Sequence, residues 1–455
     1  MEKKEEKAER IFERVLKFIK PEQKEIESNI AFSNMLVGRL KEIVPRDVKV
    51  MVLGSLARGT YLKGSADVDV FLIFNKKVGR EHAIKKGLEY AKKAVKKEKG
   101  EWYELRYAEH PYIRAYFKYS SLRADIVPAL EIENIEDMGT SVDRTPLHNE
   151  FVNANLSEKQ KDEVRLLKQM LKAHDIYGAE VKTGGFPGYL CELLIINYGS
   201  LWNLLKAFAS IKLPIVIYPK EKREDRKAEI LKKFSSKFVV VDPVDSNRNV
   251  AAGVSEESLY KFIVASQRFT RRPNIGEFMQ RGYAHRDMKE LLMTLGKLGL
   301  SVKCIELSVK EKSEDVIIPQ LRRISKYLES ALMEEKMNVI ETGEIMKARK
   351  GYIILVFEKS LSKYFSYKGP PIEHAYNSGK FFEEHRGAEF VFVKGSSLYA
   401  IEKRRERSCE EVMREKMRAC SLKLKDVALS SFRLIDISKG IEEDVYLELK
   451  KSLFI

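Results

Sequence analysis

The sequence predicts an α+β protein of several domains, and three observations carry that expectation. The chain has 455 residues, 44% of them hydrophobic, enough for two to four cores. The hydrophobic period changes along it, from a mixture of strand-like and helix-like spacing, to helical spacing alone, and back to a mixture. The longest apolar runs, VFLIF and YIILVF, suit strands and fall far short of a bilayer span, so no membrane role is expected.

Residues 1 to about 150 read as a mixed sheet with helices. The start, MEKKEEKAER, mixes acids with bases and lacks an apolar core, which predicts a solvated amphipathic helix rather than a signal or transit peptide. A strand VKVMVLG, a short helix, a strand DVDVFLIF and a long basic helix follow. Two further extended runs, YIRAYFKY and LRADIVPA, meet at Ser120-Ser121 as a hairpin or as neighbouring strands. From about 151 to 265 helical periods dominate, in SEKQKDEVRLLKQMLKAH, GYLCELLIINYGSLWNLLKAFA and SEESLYKFIVASQRFTRR, interrupted by FVVVDPVDSNRN. From about 266 to 455 strands SVKCIELS and GYIILVFE flank a helix PQLRRISKYLESALMEEK, with Pro319 in its first turn. Basic segments follow.

Lys and Arg outnumber Asp and Glu by 83 to 67, a formal charge of +16, which points to a polyanionic partner and first to nucleic acid. Four cysteines show neither paired zinc spacing nor the density of a secreted disulfide scaffold. A reducing cytosol fits them.

The sharpest chemistry lies in Gly54-Ser55 and Asp67-Val68-Asp69. Gly54 ends an apolar strand and lets the backbone turn, Ser55 is placed to cap the next helix, and free N–H groups there suit a triphosphate. Arg58 lies one turn on and adds charge. Asp67 and Asp69 are two apart in an extended run, so both project from one face. Among Phe71, Leu72 and Ile73 such a pair is hard to hold without cations, and two Mg²⁺ ions are the natural answer. A third carboxylate is expected from a neighbouring strand, and Asp125, in LRADIVPA, is the acid inside such an apolar run.

This pattern resembles the polymerase-β-like nucleotidyltransferases. The stretches GSLARGTYLKGSADVDVFLIF, RYAEHPY, SVDRTPLH, DEVRLLKQMLKAHDIYGAE, GYLCELLI and VDPVDSNRNVAA, over residues 1 to 255, look like the archaeal, class I CCA-adding enzymes. The resemblance implies a nucleotidyltransferase head, a central helical domain and a C-terminal body and tail. It implies template-independent addition of C-C-A to the tRNA 3′ end from CTP and ATP, with contacts to the acceptor stem, in a cytoplasmic homodimer. Asp67, Asp69 and Asp125 would hold the metals, Asp67 standing where relatives often have Glu. Gly54, Ser55 and Arg58 would meet the nucleotide phosphates, and His148 would lie against the nucleotide, although a lone loop histidine is ordinarily a surface residue.

Lys168 sits at helical offsets from Val164 and Leu171, bordering the apolar face, where snorkelling is the plain reading and a triphosphate contact the implied one. Tyr177 would touch phosphate or ribose, and Arg248 the Watson–Crick edge of the incoming base. Arg404, Arg405 and Arg407 are expected on the tRNA backbone. Two rival readings are a poly(A) polymerase-like RNA-tailing enzyme and a non-catalytic RNA-binding protein.

Overall fold

A computed structural model describes residues 2–95, 99–107, 110–118, 120–132, 140–219, 227–279, 288–335, 337–358, 364–403, 409–435 and 437. The chain divides into two compact units, Met1–Arg281 and Gly282–Ile455.

In the first unit, α1 (Glu2–Ile19) and α2 (Gln23–Ile43) lead into β1 (Lys49–Leu53), α3 (Gly54–Arg58), β2 (Asp67–Phe74) and α4 (Arg80–Ala94). β3 (Glu101–Tyr107), β4 (Pro111–Phe117) and β5 (Ser120–Leu130) complete a five-stranded sheet of order β1-β2-β5-β4-β3, in which β2 and β5 run parallel and the other neighbours antiparallel. The two extended runs after the basic helix are thus adjacent strands, β4 and β5. Alternation along β2 sends Val68, Val70, Leu72 and Phe74 to one face, where they join Ala124 and Ile126 of β5 and pack under Phe32, Leu36 and Leu40 of α2 and Ala83 and Ala91 of α4. The opposite face is left for Asp67 and Asp69.

Helices α5 (Thr145–Asn155), α6 (Glu158–Ala173), α7 (Gly188–Tyr198) and α8 (Leu201–Ala209) follow, then β6 (Ile215–Ile217), α9 (Lys227–Phe234), β7 (Phe238–Val240) and α10 (Glu256–Arg271). β6 and β7 pair in parallel, so the central region is not helical throughout. Its core takes in Ala8, Ile11, Phe12, Val15 and Ile19, so one face of α1 is buried while its charged face meets solvent. Residues 150 and 151 lie within α5 and residues 265 and 266 within α10, and the first compact unit runs to Arg281.

In the second unit, α11 (Met288–Lys297), β8 (Leu300–Val309), α12 (Glu314–Glu334), β9 (Val339–Lys347) and β10 (Lys350–Glu358) precede β11 (Tyr364–Pro371), α13 (Ala375–Glu384), β12 (Phe390–Lys394), β13 (Ser397–Lys403), α14 (Cys409–Ala419) and β14 (Val427–Ile435). One antiparallel sheet has the order β14-β8-β10-β9, with the apolar face of α12 on one side and Leu291 and Leu295 of α11 on the other; β11-β13-β12 form a second. Helix α12 starts at Glu314, so Pro319 lies inside it rather than at its start. The helix extends upstream because Ile317 and Ile318 are buried and Glu314 and Asp315 suit its N-terminal dipole.

Candidate active site

The register of the first sheet gathers the acids. Across the β2–β5 pair Asp69 stands opposite Asp125 and Asp67 opposite Arg123, and across β4–β5 Arg114 stands opposite Asp125. Partners across a ladder share a face, so three carboxylates and two guanidinium groups lie together. Arg114 forks onto Asp125, Nε donating to Oδ1 at 2.7 Å and Nη2 to Oδ2 at 2.6 Å. Arg123 Nε donates to Asp67 Oδ1 at 3.2 Å in an exposed pair. Asp69 has neither kind of partner among the described residues. Burial first, then the charges on Asp125 and Asp67, push its carboxyl up to about 7.

With Asp125 and Asp67 turned to arginines, no three such side chains among the described residues form a ready cage for a metal. The donor set nevertheless fits a hard divalent cation, because it consists of carboxylate oxygens and Asp69 makes no ion pair among the described residues.

Gly54 is fixed by this arrangement. Its φ is +77°, a backbone that side-chain-bearing residues rarely adopt, and a Cβ there would lie 2.0 Å from Asp69 Oδ2. The chain turns helical at Gly54 itself, so the cap position falls on Leu53 and Ser55 sits inside α3 rather than capping it. Arg58 is buried, not a surface cation: its Nε donates to Glu192 Oε1 at 3.0 Å, which also accepts from Thr60 Oγ1 at 2.6 Å. Lys168, only 2% exposed, donates to Thr60 O at 3.0 Å, so its amine is held inside and does not snorkel. Burial pulls its pKa down, against the charge of Glu192.

Tyr177 follows α6 and bridges to Phe186, and Lys172 Nζ stands 5.5 Å from its ring centre. A Cβ on Gly188 would lie 3.3 Å from the Tyr177 hydroxyl and 3.6 Å from Lys168 Nζ, so the absence of a side chain at the start of α7 lets both groups meet there. Arg58, Lys168 and Tyr177 are therefore assembled around the first turn of α7.

His148 is buried too, its ring stacked on Tyr189 with centroids 4.1 Å apart and its Nε2 2.9 Å from Asp242 Oδ2. Arg248 Nη1 donates to the same oxygen at 2.9 Å, which brings His148 and Arg248 together. Neither Asp242 nor Glu192 is singled out by the sequence reading. An Asp before Pro243 looks like a turn former, whereas Glu192, one acid amid GYLCELLII, carries a signal that a buried partner was waiting. Arg404, Arg405 and Arg407 lie outside the described residues.

Comparison with known proteins shows the family of the chain. Residues 33–148 match the family model of the nucleotidyltransferase domain, 162–279 that of the tRNA nucleotidyltransferase second domain, and 299–431 that of the CCA-adding enzyme C-terminal domain. The chain is 34% identical over 411 residues to the CCA-adding enzyme of Archaeoglobus fulgidus, covering 90% of this chain and 89% of that one. Against the enzyme of Methanocaldococcus jannaschii the figures are 34% over 406 residues, 87% and 88%. Against that of Thermococcus gammatolerans they are 32% over 461 residues, 97% and 98%.

Proposed function

The chain belongs to the CCA-adding enzymes, and on that premise we propose that Asp67, Asp69 and Asp125 are the carboxylates through which it completes tRNA. The protein is a tRNA nucleotidyltransferase that adds C-C-A, and its family works with divalent metal ions. The reading of its site is that two Mg²⁺ ions are held on these acids, that CTP and ATP are the donors and that pyrophosphate leaves. Ions held by these acids would lower the pKa of the attacking 3′-hydroxyl and offset the charge of the leaving group.

The supporting observation is the register that sets Asp69 beside Asp125, where burial and the charges of Asp125 and Asp67 outweigh those of Arg58 and Arg114 and push its carboxyl up to about 7. Arg114 and Arg123 hold the other two acids, which would turn to the ions when these are bound. Gly54, Ser55, Arg58, Lys168 and Tyr177 orient the triphosphate, Arg58 and Lys168 from positions fixed by Glu192 and Thr60. His148 packs against the nucleotide and Arg248 reads its base. The C-terminal family match and the full-length relatives favour C-C-A addition over a poly(A)-type tail or a bare RNA-binding role.

We assign the three family matches to a catalytic head, a central nucleotide-binding part and a C-terminal body for the acceptor stem. No helix among the described residues is long and apolar enough to cross a membrane. With tRNA as substrate we place the enzyme in the cytoplasm, working as the homodimer that the resemblance implies, which light scattering on the eluted protein tests. The decisive experiment supplies tRNA lacking its C-C-A end with CTP, ATP and Mg²⁺ and sequences the products. Addition of C-C-A by the wild-type protein and none by Asp67→Asn, Asp69→Asn or Asp125→Asn is expected; substantial transfer by any of the three overturns its assignment.

A further inference from the structure

Asp242 is a heavily bonded acid of the central region. Its side chain is closed to solvent. Oδ2 takes His148 Nε2 and Arg248 Nη1, both at 2.9 Å, while Oδ1 accepts from the Tyr189 hydroxyl at 3.2 Å and the Val244 N–H at 3.1 Å. The backbone repeats the tie, since Asp242 N–H donates to Arg248 O at 3.1 Å and Arg248 N–H to Asp245 O at 2.9 Å. A second ion pair, Arg144 Nη1 to Asp245 Oδ2 at 2.7 Å, pins the same turn. Arg248 itself is 32% exposed along its side chain, with one nitrogen committed to Asp242.

We propose that Asp242 is a positioning residue for nucleotide choice, fixing the plane and the charge of the Arg248 guanidinium so that its remaining donors meet the base. The inference rests on the reading of Arg248 as the group that faces the base. A guanidinium beside a triphosphate and free to swing would pair with phosphate oxygens, the stronger acceptors. Anchored by one nitrogen to a buried anion, it stays at the base end with the rest of its planar fork directed outward.

Cytosine and adenine offer a ring acceptor on the Watson–Crick edge where uracil and guanine carry N–H. A donor held there is satisfied by the first two and left unpaired by the others. Rigidity is what converts that difference into selection, because a loose arginine could turn away from the wrong base at little cost. Tyr189 and His148, stacked on each other and both bonded to the carboxylate, oppose its rotation.

The test compares kcat/KM for CTP, ATP, UTP and GTP on tRNA lacking C-C-A, in wild type, Asp242→Asn, Asp242→Glu, Arg248→Ala and the double variant Asp242→Asn/Arg248→Ala. Asp242→Asn is expected to narrow the preference for CTP and ATP at least tenfold, chiefly by raising their KM, while tRNA affinity stays at the wild-type value. Asp242→Glu keeps the charge but misplaces it, and is expected to lose selectivity in the same direction. In the double variant selectivity should equal that of Arg248→Ala alone, since Asp242 acts through the arginine. Wild-type selectivity in either Asp242 variant beside an unselective Arg248→Ala overturns the positioning role. Wild-type selectivity in Arg248→Ala overturns instead the base-reading assignment on which it stands.

Discussion

The acids of the sheet face and the acids of the central region are held in opposite ways. Asp67, Asp69 and Asp125 lie on one open face, two of them lent to arginines and the third without a partner. Glu192 and Asp242 are closed to solvent, Glu192 Oε1 accepting from Arg58 and Thr60 and the Asp242 carboxylate bonded to His148 and Arg248. An anion meant to receive a cation must be left electrostatically incomplete, whereas a buried anion that fixes other side chains must be paired with a cation, because unpaired buried charge is costly.

Removing the incomplete acid should have the largest effect on chemistry and the smallest on fold. Asp69→Asn is expected to lower CMP transfer on the order of ten-thousandfold, about 5.5 kcal/mol of barrier, with tRNA affinity unchanged. The same variant sharpens the contrast in a chelator. An acid whose folded value is raised lends stability that is present at low pH and lost as pH rises through about 7. Without divalent ions above that pH, Asp69→Asn should therefore melt higher than wild type, and a lower melting point would show that Asp69 is already satisfied.

The buried acid paired with Arg58 should behave in reverse. Glu192→Ala leaves Arg58 buried with an unmatched charge and should destabilise the first unit by about 3–5 kcal/mol in urea titrations. Arg123→Ala, which breaks the exposed pair with Asp67, should shift the same curve by no more than about 1 kcal/mol. Equal shifts would erase the distinction.

Gly54→Ala probes the open face by geometry alone. The left-handed backbone costs about 1–2 kcal/mol for an ordinary residue, and the new methyl group would collide with the Asp69 carboxylate. Activity should fall about a hundredfold, more than the stability loss accounts for, because the acid moves before the strand does. A variant with full activity would free Asp69 from this position.

The smallest effect is that of pH on the closed turn. Burial lowers the His148 pKa from its usual value against the pull of Asp242, so protonation near pH 6 favours the unfolded chain. The stability that neutral His148 contributes is present above about pH 6.5 and lost as pH falls, at a slope no steeper than about 1.4 kcal/mol per unit. Wild type should accordingly lose more stability than His148→Gln between pH 7 and 5, and parallel curves would mean that the ring protonates freely in the fold.

What the sequence determined by itself is local. Periodicity of two in DVDVFLIF puts Asp67 and Asp69 on one face whatever surrounds them, and the same alternation marks Asp125 as the acid inside an apolar run. Strands β1, β2, β4, β5, β8 and β10 and the main helices were legible from the same spacing, while β3 and the short β6 carry too weak a pattern to stand out. What tertiary structure decided is which charges meet. Arg58 could have faced solvent and instead reaches 134 positions along the chain to Glu192, and His148 finds Asp242 at a separation of 94. Nothing local distinguishes a buried arginine from a surface one, or the start of α12 at Glu314 from one at Pro319, because burial is a property of what packs against a residue and that partner is set by the fold.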